Sequence, residues 1–206
     1  MRTESYLFIL LAYFDPLQRI GYFGSMTSQM PAATGMAAAL EKLEDVVAVE
    51  SCTVEQVCYE LSRIFRVRTQ EVALLQVQRS MLKFLHPAEL RSAGAIPLSS
   101  SAIAARTASG RRADYYNNFA SVQHSSVFET VKMRASDLPT SEMDPQTIYK
   151  LMSAPVMGAC NKVAGVIQIS RKGFELVTSG PDFTSEDLEH LKAAAKIIGI
   201  FLARLS

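Results

Sequence analysis

The chain has 206 residues, of which 49% are hydrophobic and 20% are charged, and its net charge is +1. This length is sufficient for a substantial core without disulfide or metal support, and it corresponds most simply to one domain with extensions. A net charge this close to zero gives no support to nucleic-acid binding.

The cysteines are few and lack the spacing of a disulfide or zinc framework. Cys52, Cys58 and Cys160 include no C-x-x-C pair, and their number is odd. Such a set indicates a cytoplasmic protein with reduced, mostly buried thiols. The three histidines are scattered along the chain, so we expect no metal site.

The first 35 residues differ in composition from the rest of the chain. The apolar run Tyr6–Phe14 is too short to span a bilayer, which needs about 20 residues. Gly24–Gly35 is rich in the residue types of linkers. We predict that residues 1–35 form a loosely packed or disordered extension and linker, and that one domain occupies residues 36–206. The apolar part of a signal peptide and a later start of translation remain open alternatives.

Helical patterns lie at both ends of the predicted domain, and strand patterns lie between them. Met36–Glu50 carries apolar residues at three- and four-residue steps, and Thr53 is a suitable N-cap for a second helix. A final helix begins at Thr184, which with Asp187 approximates a capping box, and its apolar face continues to Leu205.

The middle of the chain predicts a mainly antiparallel sheet. The predicted strands are Glu71–Gln78, Ser80–Leu85, Ala93–Leu98, Ile148–Met157 and Val163–Ser170. Serines 99–101 offer N-caps to a short helix that Gly110 ends. Arg111–Phe119 is predicted as a loop or short strand, and residues 133–146 as a long polar loop.

The order of these features resembles that of GAF domains, which are small-ligand and signalling modules. The matching pieces are Glu71-Val-Ala-Leu-Leu75, Ile96-Pro-Leu-Ser-Ser100 with Gly110, Ala154-Pro-Val-Met157, Ala164-Gly-Val-Ile167 and Phe183-Thr-Ser-Glu-Asp-Leu188. The resemblance covers Thr53–Leu205. It implies an α+β fold in which helices flank a central antiparallel sheet and the N- and C-terminal helices pack together.

Three departures from the family pattern narrow the expected activity. Asn117-Asn118 stands where many members carry an aspartate. Arg171-Lys172 stands where cyclic-nucleotide-binding members carry Asn-Lys. The cysteines do not match those of members that reduce free methionine sulfoxide. We therefore expect neither cyclic-nucleotide binding nor that reductase activity, and we predict that the chain is not an enzyme and name no cofactor.

The resemblance places a pocket between the sheet and residues 99–132, and six residues are candidates to line it. They are Arg106, Tyr115, Tyr116, Asn118, His124 and Gln168. In this interpretation an arginine or histidine meets an anion, the tyrosines form a wall, and the loop 133–146 covers the site. The alternative is that the tyrosines edge the core and the polar residues are solvated.

The resemblance implies a small-ligand-sensing or regulatory domain without an output domain on this chain. The alternative is a non-catalytic adaptor or dimerisation module with a filled pocket. The partner is an unknown small molecule or signalling protein, with no nucleic acid and no membrane span. We also predict a homodimer through the terminal helices, because Ile197, Ile200 and Phe201 add apolar surface beyond the main stripe of the last helix.

Overall fold

The computed structural model describes residues 32–92, 94–119 and 147–205. The helices are α1 (Ala32–Ala48), α2 (Val54–Phe65), α3 (Ile103–Gly110) and α4 (Ser185–Arg204). The strands are β1 (Val72–Gln78), β2 (Met81–His86), β3 (Ala95–Pro97), β4 (Asp114–Tyr116), β5 (Thr147–Met157) and β6 (Val163–Gly173). The predicted extension before residue 32, the candidate His124 and the loop 133–146 lie outside the described residues.

The six described strands form one antiparallel sheet in the order β3-β2-β1-β6-β5-β4. The longest strands, β5 and β6, form a hairpin, and the edge strands β3 and β4 have three residues each. This arrangement confirms the predicted α+β fold with a central antiparallel sheet. None of the described helices is long and apolar enough to cross a membrane.

Strand alternation divides the core into two layers, because successive side chains of a strand point to opposite faces. On one face Leu74 and Ile167 belong to the core beneath α1, α2 and α4. On the other face Ala73, Leu75 and Val166 pack against α3. The helical layer therefore lies on one side of the sheet, and the short helix α3 covers the other.

The predicted N-cap of α2 and the predicted capping box of α4 are confirmed. Thr53 Oγ1 accepts a hydrogen bond from Gln56 N at 3.3 Å, and Thr184 Oγ1 accepts one from Asp187 N at 3.1 Å. The N-cap expected for α3 is wrong: Ala102 occupies that position and makes no side-chain cap, so the preceding serines do not cap the helix. The start of α1 at Ala32 places the predicted boundary at residues 35 and 36 inside this helix.

The terminal helices α1 and α4 pack together, as predicted. The guanidinium of Arg204 donates hydrogen bonds to the carbonyl oxygens of Val47 and Val49, so the C-terminal ends of both helices lie side by side. A cation at this position also complements the partial negative charge at the end of α1. Phe201 is 2% exposed and Ile197 is half-buried, so Ile200 is the one exposed residue of the predicted apolar surface.

The carboxylate of Glu71, directly before β1, is buried and accepts three hydrogen bonds. The donors are Arg68 N at 2.8 Å, Arg68 Nη2 at 2.9 Å and Lys172 N at 2.7 Å. Burial by itself raises the pKa of this carboxyl, but the hydrogen bonds and the Arg68 charge outweigh burial and hold the pKa below its usual range. Glu71 therefore joins the start of β1 to the end of β6 in its ionised form.

Glu71 predicts a loss of stability in acid. Because its folded pKa lies below its unfolded value of about 4.3, the unfolded chain is protonated first as the pH falls. The contribution of the ionised Glu71 to the free energy of unfolding is complete at pH values above that unfolded pKa. It is lost as the pH falls through the folded pKa. Glu71→Gln should lower the free energy of unfolding near neutral pH by about 2 kcal/mol and flatten its acid dependence.

Urea denaturation at a series of pH values from about 7 down to about 2.5, which extends below the unfolded pKa of a glutamate, measures both effects. Glu44→Gln on the exposed side of α1 is the matched control and should leave the stability and its pH profile close to those of the wild type. An unchanged pH profile in Glu71→Gln would contradict the role assigned to this carboxylate.

Candidate functional site

A row of residues crosses four strands on the sheet face that α3 covers. Asp114 in β4 is paired with Ser153 in β5, Ser153 with Gln168 in β6, and Gln168 with Ala73 in β1. Paired residues of neighbouring strands share one face of the sheet. Thr107 Oγ1 of α3 donates to Ser153 Oγ at 2.8 Å, which identifies this face as the one beneath α3.

The middle of this row is sealed, and its β4 end is more open. Ser153 and Gln168 are 0% and 4% exposed, and Gln168 Nε2 donates to Ser153 Oγ at 3.4 Å. Asp114, in contrast, is half-buried on an edge strand. The predicted site residue Gln168 is thus in line with the candidate site but is covered by α3.

Asp114 and Tyr116 are two residues apart on β4 and therefore share a face of the sheet. Tyr116 Oη donates to Asp114 Oδ2 at 3.4 Å, and Tyr115 N donates to Asp114 Oδ1 at 2.9 Å. The ring of Tyr116 packs against the cluster that includes Ile103 of α3 and Leu151 of β5. This packing fixes the phenol beside the carboxylate.

The surroundings of Tyr116 further favour the protonated form of its phenol. Burial and the Asp114 charge raise its pKa, and the positive charges of Arg106 and Arg112 only partly oppose this effect. Both arginines are exposed, Arg106 on α3 and Arg112 just after it. The site therefore offers a neutral hydroxyl, a carboxylate and nearby guanidinium groups.

The structure separates the predicted site residues that lie in its described ranges. Arg106 and Tyr116 lie at the same end of the α3 face. Tyr115 points to the opposite face and packs against the core of the helical layer, so the expectation that the two tyrosines form one wall is wrong. Asn118 is exposed after β4, and His124 lies outside the described residues.

Sequence reasoning missed Asp114, Thr107 and Ser153. It placed the aspartate position of the family at Asn117-Asn118, whereas the structure puts the half-buried carboxylate of Asp114 on the candidate site face. The pattern Asp-Tyr-Tyr held a usable signal, because period-two alternation places Asp114 and Tyr116 together. Ser153 and Thr107 are joined only by the tertiary fold, since 46 residues separate them.

The cysteines lie away from this row. Cys58 is buried in α2, where burial raises its pKa, and Cys52 is half-buried before that helix. Both lie on the helical side of the sheet. Cys160 is exposed in the turn between β5 and β6, which corrects the expectation that the thiols are mostly buried. Within residues 32–92, 94–119 and 147–205, no three metal-ligating side chains are grouped to hold an ion.

Solved structures of low sequence identity share this architecture. The GAF domain of an Acinetobacter phosphoenolpyruvate-protein phosphotransferase matches with a TM-score of 0.58 and 12% identity over 82% of this chain and 93% of that chain. The A. aeolicus nlh2 GAF domain, in an inactive state, matches with a TM-score of 0.58 and 14% identity over 84% of this chain and 99% of that chain. The fold is that of a GAF domain. Neither a protein-family model nor a curated protein matches the chain.

An enzyme also has this GAF fold. The free methionine-R-sulfoxide reductase of Neisseria meningitidis, solved in complex with its substrate, matches with a TM-score of 0.57 and 15% identity over 86% of this chain and 95% of that chain. The expectation that the chain is not an enzyme, which was drawn from departures in its motifs and cysteines, is overturned by this similarity, because a reductase shares the GAF fold.

Proposed function

We propose that this GAF-fold chain is a small-ligand-sensing regulatory domain. The observation that carries the proposal is the pairing of the Asp114 carboxylate with the Tyr116 phenol beside α3. Both side chains are half-buried rather than sealed in the core, and their hydrogen bond is long at 3.4 Å. A polar ligand therefore finds an acceptor and a neutral donor that it can engage without unfolding the sheet.

The ligand contacts the β4 end of the row rather than its middle. Thr107 closes the middle by its hydrogen bond to Ser153, so a ligand that reached Gln168 would first have to displace α3. Arg106 and Asn118 complete the described part of the site, and His124 stays a prediction. Binding acts on the terminal helices only if the ligand favours one of their arrangements over another.

The regulatory role in this proposal is completed by self-association. We propose that two copies pair through α1 and α4, whose C-terminal ends lie side by side through Arg204. The free, sparse cysteines are in keeping with function in the cytoplasm. The domain in this proposal includes all of α1 and therefore begins at Ala32 rather than at residue 36.

Paired tyrosine variants test the site. A metabolite library is screened by native mass spectrometry and thermal shift, and each compound that binds is titrated against Tyr116→Phe, Arg106→Gln and Asp114→Asn. We expect each variant to weaken binding by about tenfold, as the loss of a charge-assisted hydrogen bond to the ligand would. Tyr115→Phe is the matched control, because the neighbouring phenol lies on the other face of the sheet.

Equal weakening by the Tyr115 and Tyr116 variants would contradict the proposed site. The second candidate function is an adaptor or dimerisation module with a filled pocket. The sealed contact of Thr107, Ser153 and Gln168 favours it, because α3 itself occupies that part of the sheet face. Under this alternative no compound raises the melting temperature, and a protein partner still binds all the variants.

A further inference from the structure

Asn117 joins the edge strand of the candidate site to the start of the last helix. Its Nδ2 donates to the carbonyl oxygen of Phe183 at 2.9 Å, and its Oδ1 accepts from Phe183 N at 2.8 Å. One side-chain amide therefore satisfies both backbone groups of a residue 66 positions away in the sequence. Asn117 directly follows Tyr116, so these two hydrogen bonds connect the residue next to the candidate site with Phe183.

Phe183 anchors the N-cap of α4. Its ring is 2% exposed in the core of the helical layer, and the guanidinium carbon of Arg171 lies 4.7 Å from the ring centroid. The next residue, Thr184, caps the helix through its reciprocal hydrogen bonds with Asp187. A displacement of the Phe183 backbone therefore acts directly on the first turn of α4.

A second tether reaches the same segment from a different strand. Lys150 of β5 is buried, and its Nζ lies 2.8 Å from Asp182 Oδ1 and donates to the carbonyl oxygen of Gly180. Strand β5 is paired along its length with β6, whereas β4 is a three-residue edge strand paired only with β5 in the described sheet. The Lys150 tether is thus attached to a strand that is paired on both sides, and the Asn117 tether to a short edge strand, an element that opens at lower free-energy cost.

We propose that Asn117 is a positioning residue that transmits displacement of β4, at the candidate site, to the first turn of α4. The proposal rests on the proposed ligand-sensing function, because it names the contact through which that site reaches a terminal helix. Asn117 receives the movement of Tyr116 through the chain and delivers it to Phe183 through two hydrogen bonds. Lys150 holds the neighbouring Gly180–Asp182 to β5 through contacts that do not involve Asn117.

A mutational cycle on the full chain tests this coupling without any ligand. Tyr116→Ala disturbs the site, and amide hydrogen exchange of Asp187 and Leu188, whose N–H groups donate to Oγ1 and the carbonyl oxygen of Thr184, reports the first turn of α4. We expect Tyr116→Ala to speed this exchange by about fivefold when Asn117 is present, and to add nothing in an Asn117→Ala background. Additive effects of the two substitutions, or no effect of Tyr116→Ala on α4, would overturn the proposal.

Two further variants separate coupling from simple loss of structure. Lys150→Met removes the other tether, and in its background the effect of Tyr116→Ala on α4 should persist. Asn117→Asp keeps the acceptor for Phe183 N and loses the donor to the Phe183 carbonyl oxygen, so it replaces Asn117→Ala in the cycle if that variant does not fold. In the Asn117→Asp background, the effect of Tyr116→Ala on exchange in α4 should be smaller, and an undiminished effect would contradict the coupling.

Failure of the ligand-sensing function is distinguishable from failure of the coupling. If the mutational cycle is non-additive but no compound binds at the Asp114–Tyr116 site, the coupling stands and ligand sensing falls. If a compound binds there and the cycle is additive, ligand sensing stands and the role of Asn117 is wrong.

Discussion

Replacement of Gly165 by alanine should lower the free energy of unfolding by about 3 kcal/mol. The added Cβ would lie 2.3 Å from the carbonyl oxygen of Leu75 and 2.7 Å from Cδ1 of Leu202. The leucine side chain of α4 can rotate away, but the Leu75 carbonyl belongs to β1, which pairs with β6 at this point. The sheet itself would have to open, so the cost is large. Urea denaturation followed by circular dichroism measures it.

Gly110→Ala is the matched control for this substitution. Gly110 ends α3, and an added Cβ there meets no atom within 4 Å. Alanine in a helix is favoured over glycine by about 0.5–1 kcal/mol, so this variant should be as stable as the wild type or slightly more stable. A Gly165→Ala protein with wild-type stability would show that the close contact between β6 and β1 has been misjudged.

Replacement of Ile200 by glutamate should convert the proposed homodimer into monomers. Val49 is 53% exposed, Ile200 59% and Leu205 46%, and Arg204 joins the ends of α1 and α4 that carry them. A groove of about 490 Å³ lies beside Ile200, between the last turns of α4 and the β5–β6 turn. Burial of the apolar residues at this end of α1 and α4 between two copies would stabilise an isologous dimer. The glutamate introduced in place of Ile200 would be a buried, unpaired carboxylate and would destabilise the dimer.

Sedimentation velocity at tens of micromolar protein gives the oligomeric state, and circular dichroism should show that the variant keeps its fold because Ile200 lies outside the core. Val177→Glu is the control: this residue is 87% exposed in the loop between β6 and α4, and its substitution should leave the dimer intact. A wild-type protein that is monomeric at these concentrations would rule out the proposed pairing.

Local chemistry in the sequence was sufficient to predict the elements of the fold. The hydroxyl and amide groups that cap α2 and α4 lie within three residues of each other, so Thr53 and Thr184 were recognisable from spacing alone. Alternating or continuous apolar runs likewise predicted the strands. The N-cap of α3 was misassigned because serine near a helix start is only a preference, and the packing of α3 on the sheet determined where it begins.

The site was less predictable, because its residues meet through register and long-range contacts. The pairing of β4 with β5 places Asp114 and Tyr116 on the face of the sheet that α3 covers, and it places Tyr115 on the opposite face. The hydrogen bond from Thr107 to Ser153 holds α3 over Gln168. The side-chain amide of Asn117 bonds to the backbone of Phe183, which is 66 residues away in the sequence. The sequence alone therefore determined the antiparallel α+β architecture, through local capping and strand patterns. The tertiary structure alone decided which polar side chains share the α3 face, because that depends on pairings between distant segments.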